Sequence, residues 1–142
     1  MSLLGTYDYK IQAAELLLRI FAGILFFFQG YDKVFRIGLK GVTDTFMADA
    51  SRYRIPRGLV SLLTWYTSLA ELIGGLLLMA GLFTFPALCA LGLDLVLVAL
   101  AFSFIEPMWD MKHVFPRLLL LVALMLLYRG GQNWGLGQYF NL

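Results

Sequence analysis

Four long apolar segments divide this 142-residue sequence, at about residues 11–31, 58–82, 85–105 and 113–129. A helix that crosses a bilayer needs about 20 mostly apolar residues, because the hydrocarbon layer is about 30 Å thick and each residue rises 1.5 Å. The segments therefore predict an all-α fold, an integral membrane four-helix transmembrane bundle with up-and-down topology. Because only Phe83-Thr84 separates the second and third segments, these two are predicted to form a tight antiparallel hairpin. No repeat, low-complexity segment or linker interrupts the sequence, so residues 1–142 are predicted to form one transmembrane domain.

The inventory of side chains narrows the chemistry that such a bundle can perform alone. Only 14% of the residues are charged, and 61% are hydrophobic. The single cysteine, Cys89, excludes an internal disulfide, a redox pair of cysteines and a thiolate metal cage, since each needs two or more sulfur atoms. The single histidine, His113, excludes bis-histidine haem and zinc sites. We expect no metal site and no catalytic residue, and the net charge of +2 without a basic cluster argues against nucleic acid.

The long loop at residues 32–57 follows the first apolar segment. Within it Thr43 can cap a short helix whose apolar stripe includes Val42, Phe46 and Ala50, and this helix is predicted to lie in the membrane interface. The loop and the segment before the fourth helix hold seven Lys and Arg residues, whereas the opposite face holds two. Because cytoplasmic loops are rich in Lys and Arg, this bias places the long loop in the cytoplasm and both termini outside it.

Each predicted helix carries one ionisable residue well inside it: Arg19, Glu71, Asp94 and Arg117. A charge at the bilayer centre costs about 2.5 to 3.5 kcal/mol, so these residues are expected to meet partners. Counting 1.5 Å per residue from the predicted boundaries puts Arg19, Glu71 and Asp94 at one depth, about 12 to 16 Å from the N-terminal face. These three residues are therefore predicted to form an intramembrane cluster.

Helical spacing supports a polar interior for the bundle. On the second helix Thr67 and Ser68 share a face with Glu71, and on the first helix Glu15 and Arg19 are spaced as an i,i+4 pair. Polar residues bridge helices where lipid offers no hydrophobic drive, so these stripes are predicted to face inward. One arginine beside two carboxylates leaves a surplus negative charge, and burial favours a carboxylate that keeps its proton. The cluster is either a proton or quinone site or an ion-pair lock that holds the bundle together.

A second set of polar residues lies at the predicted cytoplasmic rim. Gln29 and Lys33 end the first helix where a quinone ring can enter, or they anchor that helix at the interface. Arg117 enters the bilayer from the same face and is predicted to reach back toward Asp110 and His113. These five residues are the rim candidates.

Four local patterns, taken in their order and spacing, resemble one family. They are Leu18-Arg19 followed by Gly23, Phe27 and Gly30-Tyr31-Asp32-Lys33; Ala70-Glu71-Leu72-Ile73-Gly74-Gly75; Gly81-Leu82-Phe83-Thr84; and Gly135-Leu136-Gly137-Gln138-Tyr139. Along nearly its whole length the chain is similar to the DoxX family of four-helix bacterial membrane proteins, which includes the small subunit of a thiosulfate:quinone oxidoreductase. It departs from the family at Gln29, where the family often has His.

The resemblance implies a bacterial inner-membrane protein in a quinone-linked or other redox complex, with quinone as the cofactor class. It does not imply catalysis in this chain. Since no cysteine pair or histidine pair here can hold a redox centre, a membrane or membrane-associated partner protein would carry it. Two alternatives stay open: a non-catalytic scaffold or assembly subunit of a larger complex, and a small proton-coupled transporter that works as a homo-oligomer.

Overall fold

The computed structural model of the chain describes residues 3–105, 111–128 and 134–137. Most of this part is helical: α1 (Leu3–Tyr31), α2 (Leu39–Ala50), α3 (Arg57–Ala80), α4 (Thr84–Ile105) and α5 (Met111–Leu127). A π-helical turn (Asp32–Ile37) extends α1, and a 3-10 turn (Ser51–Tyr53) follows α2. The described residues form no strand, and the predicted all-α fold class is confirmed.

The helices α1, α3, α4 and α5 pack as a ring. α1 contacts α3 and α5, and α4 contacts the same two helices from the opposite side. The predicted tight hairpin between α3 and α4 is confirmed. Gly81 ends α3 in the left-handed conformation (φ 67°), where its N–H donates to the carbonyls of Leu77 and Leu78, and α4 starts at Thr84. We name this turn the hairpin end of the ring, and the end where α1 stops and α3 begins the loop end.

Within the described ranges, three helical spans are long and apolar enough to cross a membrane: Tyr9–Ile37, Arg57–Ala80 and Thr84–Ala101. Large apolar side chains point outward from them, such as Leu17 at 70% exposure and Leu62 at 67%, as lipid contact requires. Val114–Leu127 in α5 is apolar too, but it is only about 21 Å long. Four membrane crossings therefore stay a prediction.

The observed helix boundaries agree with the predicted segments except in α1. The ends of α3, α4 and α5 lie within two residues of the prediction. α1 begins at Leu3, eight residues earlier, because the polar residues of its first turns continue the helix without adding to the hydropathy that set the prediction. Its apolar span also continues beyond the predicted end, through the π-helical turn to Ile37.

The helix α2 is the short helix that the sequence predicts after the first segment. Thr43 is not its N-cap, because α2 begins four residues earlier at Leu39, and the Thr43 hydroxyl donates to the Leu39 carbonyl at 2.8 Å. α2 packs on α3, and its Val42 and Ala50 are buried. Its position in the membrane interface stays a prediction.

Most of the apolar core lies in the half of the ring nearer the hairpin end. Its fully buried side chains come from all four ring helices and include Ala22, Phe26, Leu78, Leu88, Leu91, Leu121 and Leu124. The half nearer the loop end is different, since its buried charged residues lie beside a cavity. The candidate site lies in that half.

Candidate functional site

Close packing of α1 on α3 determines which charged residues can meet. Gly30 lies against the backbone of Leu72, and Gly75 lies against the backbone of Phe27, so a Cβ on either glycine would strike that backbone. Small residues allow this approach of two helices in a membrane. Because the helices run antiparallel, the contact brings Glu71 beside the C-terminal end of α1.

Because α1 and α3 pack in this way, Lys33 forms an ion pair with Glu71. The Lys33 Nζ and Glu71 Oε2 atoms lie 2.7 Å apart. The Glu71 side chain is 1% exposed, whereas Lys33 keeps 16% of its side-chain surface accessible. Lys33 lies in the π-helical turn, and interruptions of this kind in an α-helix are frequent at functional sites. The rim candidate Lys33 is thus the cation that balances Glu71, the single carboxylate of α3.

Asp94 on α4 and Arg117 on α5 complete the group. Asp94 is fully buried, and neither of its carboxylate oxygens accepts a hydrogen bond from the described residues. Asp94 interacts electrostatically with Glu71, Lys33 and Arg117. Glu71 and Arg117 also interact electrostatically with each other. We name Lys33, Glu71, Asp94 and Arg117 the cavity cluster. It joins all four members of the ring.

Arg19 does not join Glu71 and Asp94, so the predicted cluster of these three residues at one depth is wrong. Arg19 lies against Gly81, ten residues beyond Glu71 and therefore about 15 Å farther along α3. The prediction measured depth from boundaries that hydropathy alone had set. The glycine contacts shift α1 relative to α3, and Lys33 instead of Arg19 reaches Glu71.

Arg19 belongs to a second charged site, at the hairpin end. Its Nη1 lies 3.7 Å from Glu15 Oε1, and the two side chains are 2% and 1% exposed. Its Nη2 donates to the carbonyl of Trp134. Gly81 and Gly135 flank the guanidinium so closely that a Cβ on either glycine would run into it. We name Glu15, Arg19, Gly81, Trp134 and Gly135 the tail lock.

Backbone hydrogen bonds complete the tail lock. The N–H of Leu136 donates to the carbonyl of Ala80, and the N–H of Gly137 donates to the carbonyl of Gly81, both at 3.1 Å. The short segment 134–137 is therefore held on the turn between α3 and α4. The i,i+4 pair of Glu15 and Arg19 is present as predicted, and its position suits the ion-pair lock rather than the proton or quinone site.

Arg117 faces the ring interior, and it lines the same cavity as Lys33. The sequence predicts instead that Arg117 reaches back to Asp110 and His113. Asp110 lies outside the described residues, and His113 lies in α5 with its side chain outside them. The contact of Arg117 with those two residues stays a prediction.

The other predicted residues flank the cavity cluster. Thr67 is buried, and its hydroxyl donates to the Thr64 carbonyl at 3.3 Å. Ser68 is fully buried, and its hydroxyl has no hydrogen-bond partner within the described ranges. Gln29 is half-buried, and its Oε1 atom is likewise without a partner in that part of the chain. Gln29 and Thr67 both line the cavity.

The cavity lies at the loop end and has a volume of about 540 Å³. Lys33 and Arg117 contribute two cations to its wall, and Gln29 and Thr67 contribute an amide and a hydroxyl. The rest of the wall is mostly apolar and includes Phe46, Leu63, Leu97 and Val114. A mostly apolar wall with a few converging polar groups is typical of small-molecule sites. This arrangement can hold a hydrogen-bond acceptor against two cations while it encloses an apolar ring or chain.

Sequence reasoning missed the apolar part of this site. Phe46 and Ala50 of α2 line the cavity, although the sequence predicts for them a membrane-interface stripe. Leu97, Val98 and Ala101 of α4 also line it, and nothing distinguishes them from lipid-facing residues in the sequence. The one available signal is the apolar stripe of α2, since a stripe of this kind must cover some apolar surface.

Comparison with known proteins identifies the family of this chain. A family model described as DoxX matches residues 14–105, well over half of the 142-residue chain. No curated protein and no solved structure matches the chain. The matched region contains Lys33, Glu71 and Asp94 of the cavity cluster, and it confirms the family that the local patterns indicate. The chain is a multi-pass membrane protein that belongs to the DoxX family.

Proposed function

We propose that this DoxX-family protein is an integral membrane subunit of a quinone-linked redox complex and that its cavity is the quinone or proton site. The observation that carries the proposal is the cavity itself, where an apolar wall meets Lys33, Arg117, Gln29 and Thr67. These side chains fit a quinone, because ammonium, guanidinium, amide and hydroxyl groups donate hydrogen bonds to carbonyl oxygens. A bound quinone would supply the capacity to take up electrons and protons.

The residues that line the cavity and the charged residues beside it have different roles in this function. Lys33 and Arg117 attract and orient the acceptor oxygens of the ligand, while the aliphatic wall excludes water. Glu71 holds Lys33 in place through the 2.7 Å ion pair. Asp94, buried without a hydrogen-bond partner among the described residues, is the group best placed to hold or release a proton.

The proposal includes a partner protein and a location. One cysteine and one histidine cannot build a redox centre in this chain, so a membrane or membrane-associated partner supplies the electrons. The complex lies in the bacterial inner membrane, with the long loop in the cytoplasm and both termini outside it, as the distribution of Lys and Arg predicts. Assembly of several copies of this chain is compatible with the same site.

Gentle purification from the native membrane tests the proposal. We expect mass spectrometry to find bound quinone and a stable partner that carries a redox centre. Lys33→Gln should reduce the bound quinone by about tenfold, because it removes one of two cations that face the ligand. The matched control is Arg36→Gln, since Arg36 lies in the same π-helical turn, is 72% exposed and pairs with Asp32 outside the cavity.

Other outcomes of this purification would replace the proposal. A stable partner without a redox centre, together with an absence of quinone, would support the scaffold or assembly subunit. Absence of both partner and quinone, together with proton-coupled uptake by vesicles that contain the purified chain, would support the small transporter. Equal loss of quinone in the Lys33→Gln and Arg36→Gln variants would contradict the assignment of the cavity.

A further inference from the structure

The cavity reaches the outer surface of the bundle at one recognisable place. Among its described lining residues only Leu59 and Leu100 are exposed, at 47% and 54%. All the others are buried or half-buried. Leu59 lies on α3 and Leu100 lies on α4, and these helices are neighbours in the ring. The opening is therefore a seam between α3 and α4.

This seam faces lipid rather than water. Leu62 lies one turn from Leu59 on α3 and is 67% exposed, and Val96 lies one turn from Leu100 on α4 and is 51% exposed. Both helices belong to spans that are long and apolar enough to cross a membrane. The exposed side chains at these flanking positions on both helices are thus apolar. A molecule that passes through it comes from the hydrocarbon layer.

Polarity changes across the cavity from the seam to the opposite side of the ring. Leu63 and Leu97 line it on the side of α3 and α4. Lys33 follows α1 and Arg117 lies on α5, the two helices that complete the ring opposite the seam. The wall is therefore apolar near the lipid and cationic at the far side. This order matches a molecule with a polar head and an apolar tail that enters head first.

We infer that the cavity takes its ligand sideways from the bilayer, as a molecule whose acceptor head reaches Lys33 and Arg117 while its long flexible tail leaves between Leu59 and Leu100 into lipid. The identity of the head as a quinone rests on the proposed function, whereas the lateral route does not. A head without a tail leaves the seam empty once it is bound, whereas a bound ligand with a tail fills it, and a tail without a head still has access to the cavity wall.

The test uses the full chain in lipid nanodiscs and two probes, a benzoquinone with a decyl tail and the same head without a tail. Leu100→Trp places a large ring in the seam. We expect it to weaken the equilibrium binding of the tailed probe by about tenfold, because the bound tail fills the seam, while the equilibrium binding of the tailless probe changes by less than about twofold. Leu93→Trp is the matched control, since Leu93 lies two turns away on α4, is 52% exposed and does not line the cavity.

A second readout needs no quinone. A phospholipid with a photoreactive group in its acyl chain should label Thr64 and Thr67 in the wild type, because these buried residues are reached only through the cavity. Leu100→Trp, and independently Leu59→Trp, should lower this labelling by about fivefold, and Leu93→Trp should leave it unchanged. Circular dichroism confirms that each variant is folded.

The outcomes separate the two proposals. If the tailed quinone binds equally tightly to Leu100→Trp and Leu93→Trp and the labelling of Thr64 and Thr67 is also equal, the lateral route is wrong and the quinone site stands. If neither quinone probe binds to the wild type but the seam variants lower the labelling, the lateral route stands and the quinone assignment fails. Loss of the binding of both probes in Leu100→Trp alone would mean that the ring distorts the whole cavity, and it would overturn the seam as a separate route.

Discussion

The tail lock and the cavity cluster place the same kinds of charged side chain at opposite ends of one bundle, with different surroundings. Around the Arg19 guanidinium the space is filled by Gly81 and Gly135, and the side chain is 2% exposed. Lys33 is equally well paired, but it borders a cavity of about 540 Å³. A buried ion pair with no free space around it can only hold helices together, whereas one beside a cavity can also meet a ligand. The presence of intramembrane charge does not by itself identify function.

The largest effect is expected from breaking the tail lock. Arg19→Met leaves Glu15 buried without its cation and removes the donor to the Trp134 carbonyl. We expect the free energy of unfolding to fall by about 3 to 5 kcal/mol, the usual result of removing one partner of a buried pair. Unfolding in mixed detergent micelles, followed by circular dichroism, measures it. The double variant with Glu15→Gln should recover part of the loss, and a loss below about 1 kcal/mol in Arg19→Met would contradict the lock.

A smaller effect is expected from a substitution at Gly75, whose contact with Phe27 fixes the position of α1 along α3. Gly75→Ala pushes a methyl group into the backbone of Phe27 and should lower the free energy of unfolding by about 1 to 3 kcal/mol. Gly92→Ala is the matched control, since the nearest atom to its Cβ is the Met125 methyl at 3.9 Å. Removal of a helical glycine without a clash should be neutral or stabilising by up to about 1 kcal/mol. Equal effects of both substitutions on the same unfolding curves would refute the role of Gly75.

A substitution in the cavity cluster is expected to reduce ligand binding more than it reduces stability. Lys33→Gln keeps a hydrogen-bond donor near Glu71, and Lys33 is partly accessible, so we expect a loss of about 1 to 2 kcal/mol in unfolding free energy. In the wild type, decyl benzoquinone at 100 times its Kd should add about 2.7 kcal/mol of stability. The same concentration should add only about 1.4 kcal/mol to Lys33→Gln, because its affinity is expected to be about tenfold weaker. An undiminished response of the variant would remove Lys33 from the site.

The smallest effect is expected at Ser68. Its hydroxyl is fully buried and has no hydrogen-bond partner within the described ranges, so Ser68→Ala should change the free energy of unfolding by less than about 0.5 kcal/mol. Unfolding curves of the two proteins, recorded side by side, measure the difference. A loss of more than about 1.5 kcal/mol would mean that the hydroxyl has a strong partner and belongs to the cavity cluster.

Prediction from sequence succeeded where hydropathy alone decides the structure. The positions of α3, α4 and α5 follow from runs of apolar residues long enough to match the bilayer, and the hairpin follows from the short connection at Gly81. Sequence periodicity also placed Glu71, Thr67 and Ser68 on one buried face of α3. These are properties of single helices or of near neighbours in the chain.

The sequence did not predict correctly which charged residues on different helices pair with each other. Hydropathy places a segment in the membrane only to within a few residues, but the choice between Arg19 and Lys33 as the partner of Glu71 depends on where α1 stands along α3. The contacts of Gly30 and Gly75 determine that position, and a sequence does not say which glycines face each other. The contact of Arg19 with the Trp134 carbonyl was out of reach for the same reason, since a backbone acceptor carries no residue-specific signal.

The tail lock also has a consequence for the order in which the protein matures. Arg19 and its acceptor at Trp134 are separated by 115 positions in the chain. While the ribosome is still translating the later helices, the guanidinium is already inserted and has Glu15 as its one partner from the tail lock, because Gly81, Trp134 and Gly135 come later in synthesis. The hairpin end is therefore completed only after Trp134 has left the ribosome, and until then we expect it to be the part of the nascent protein most sensitive to a membrane protease.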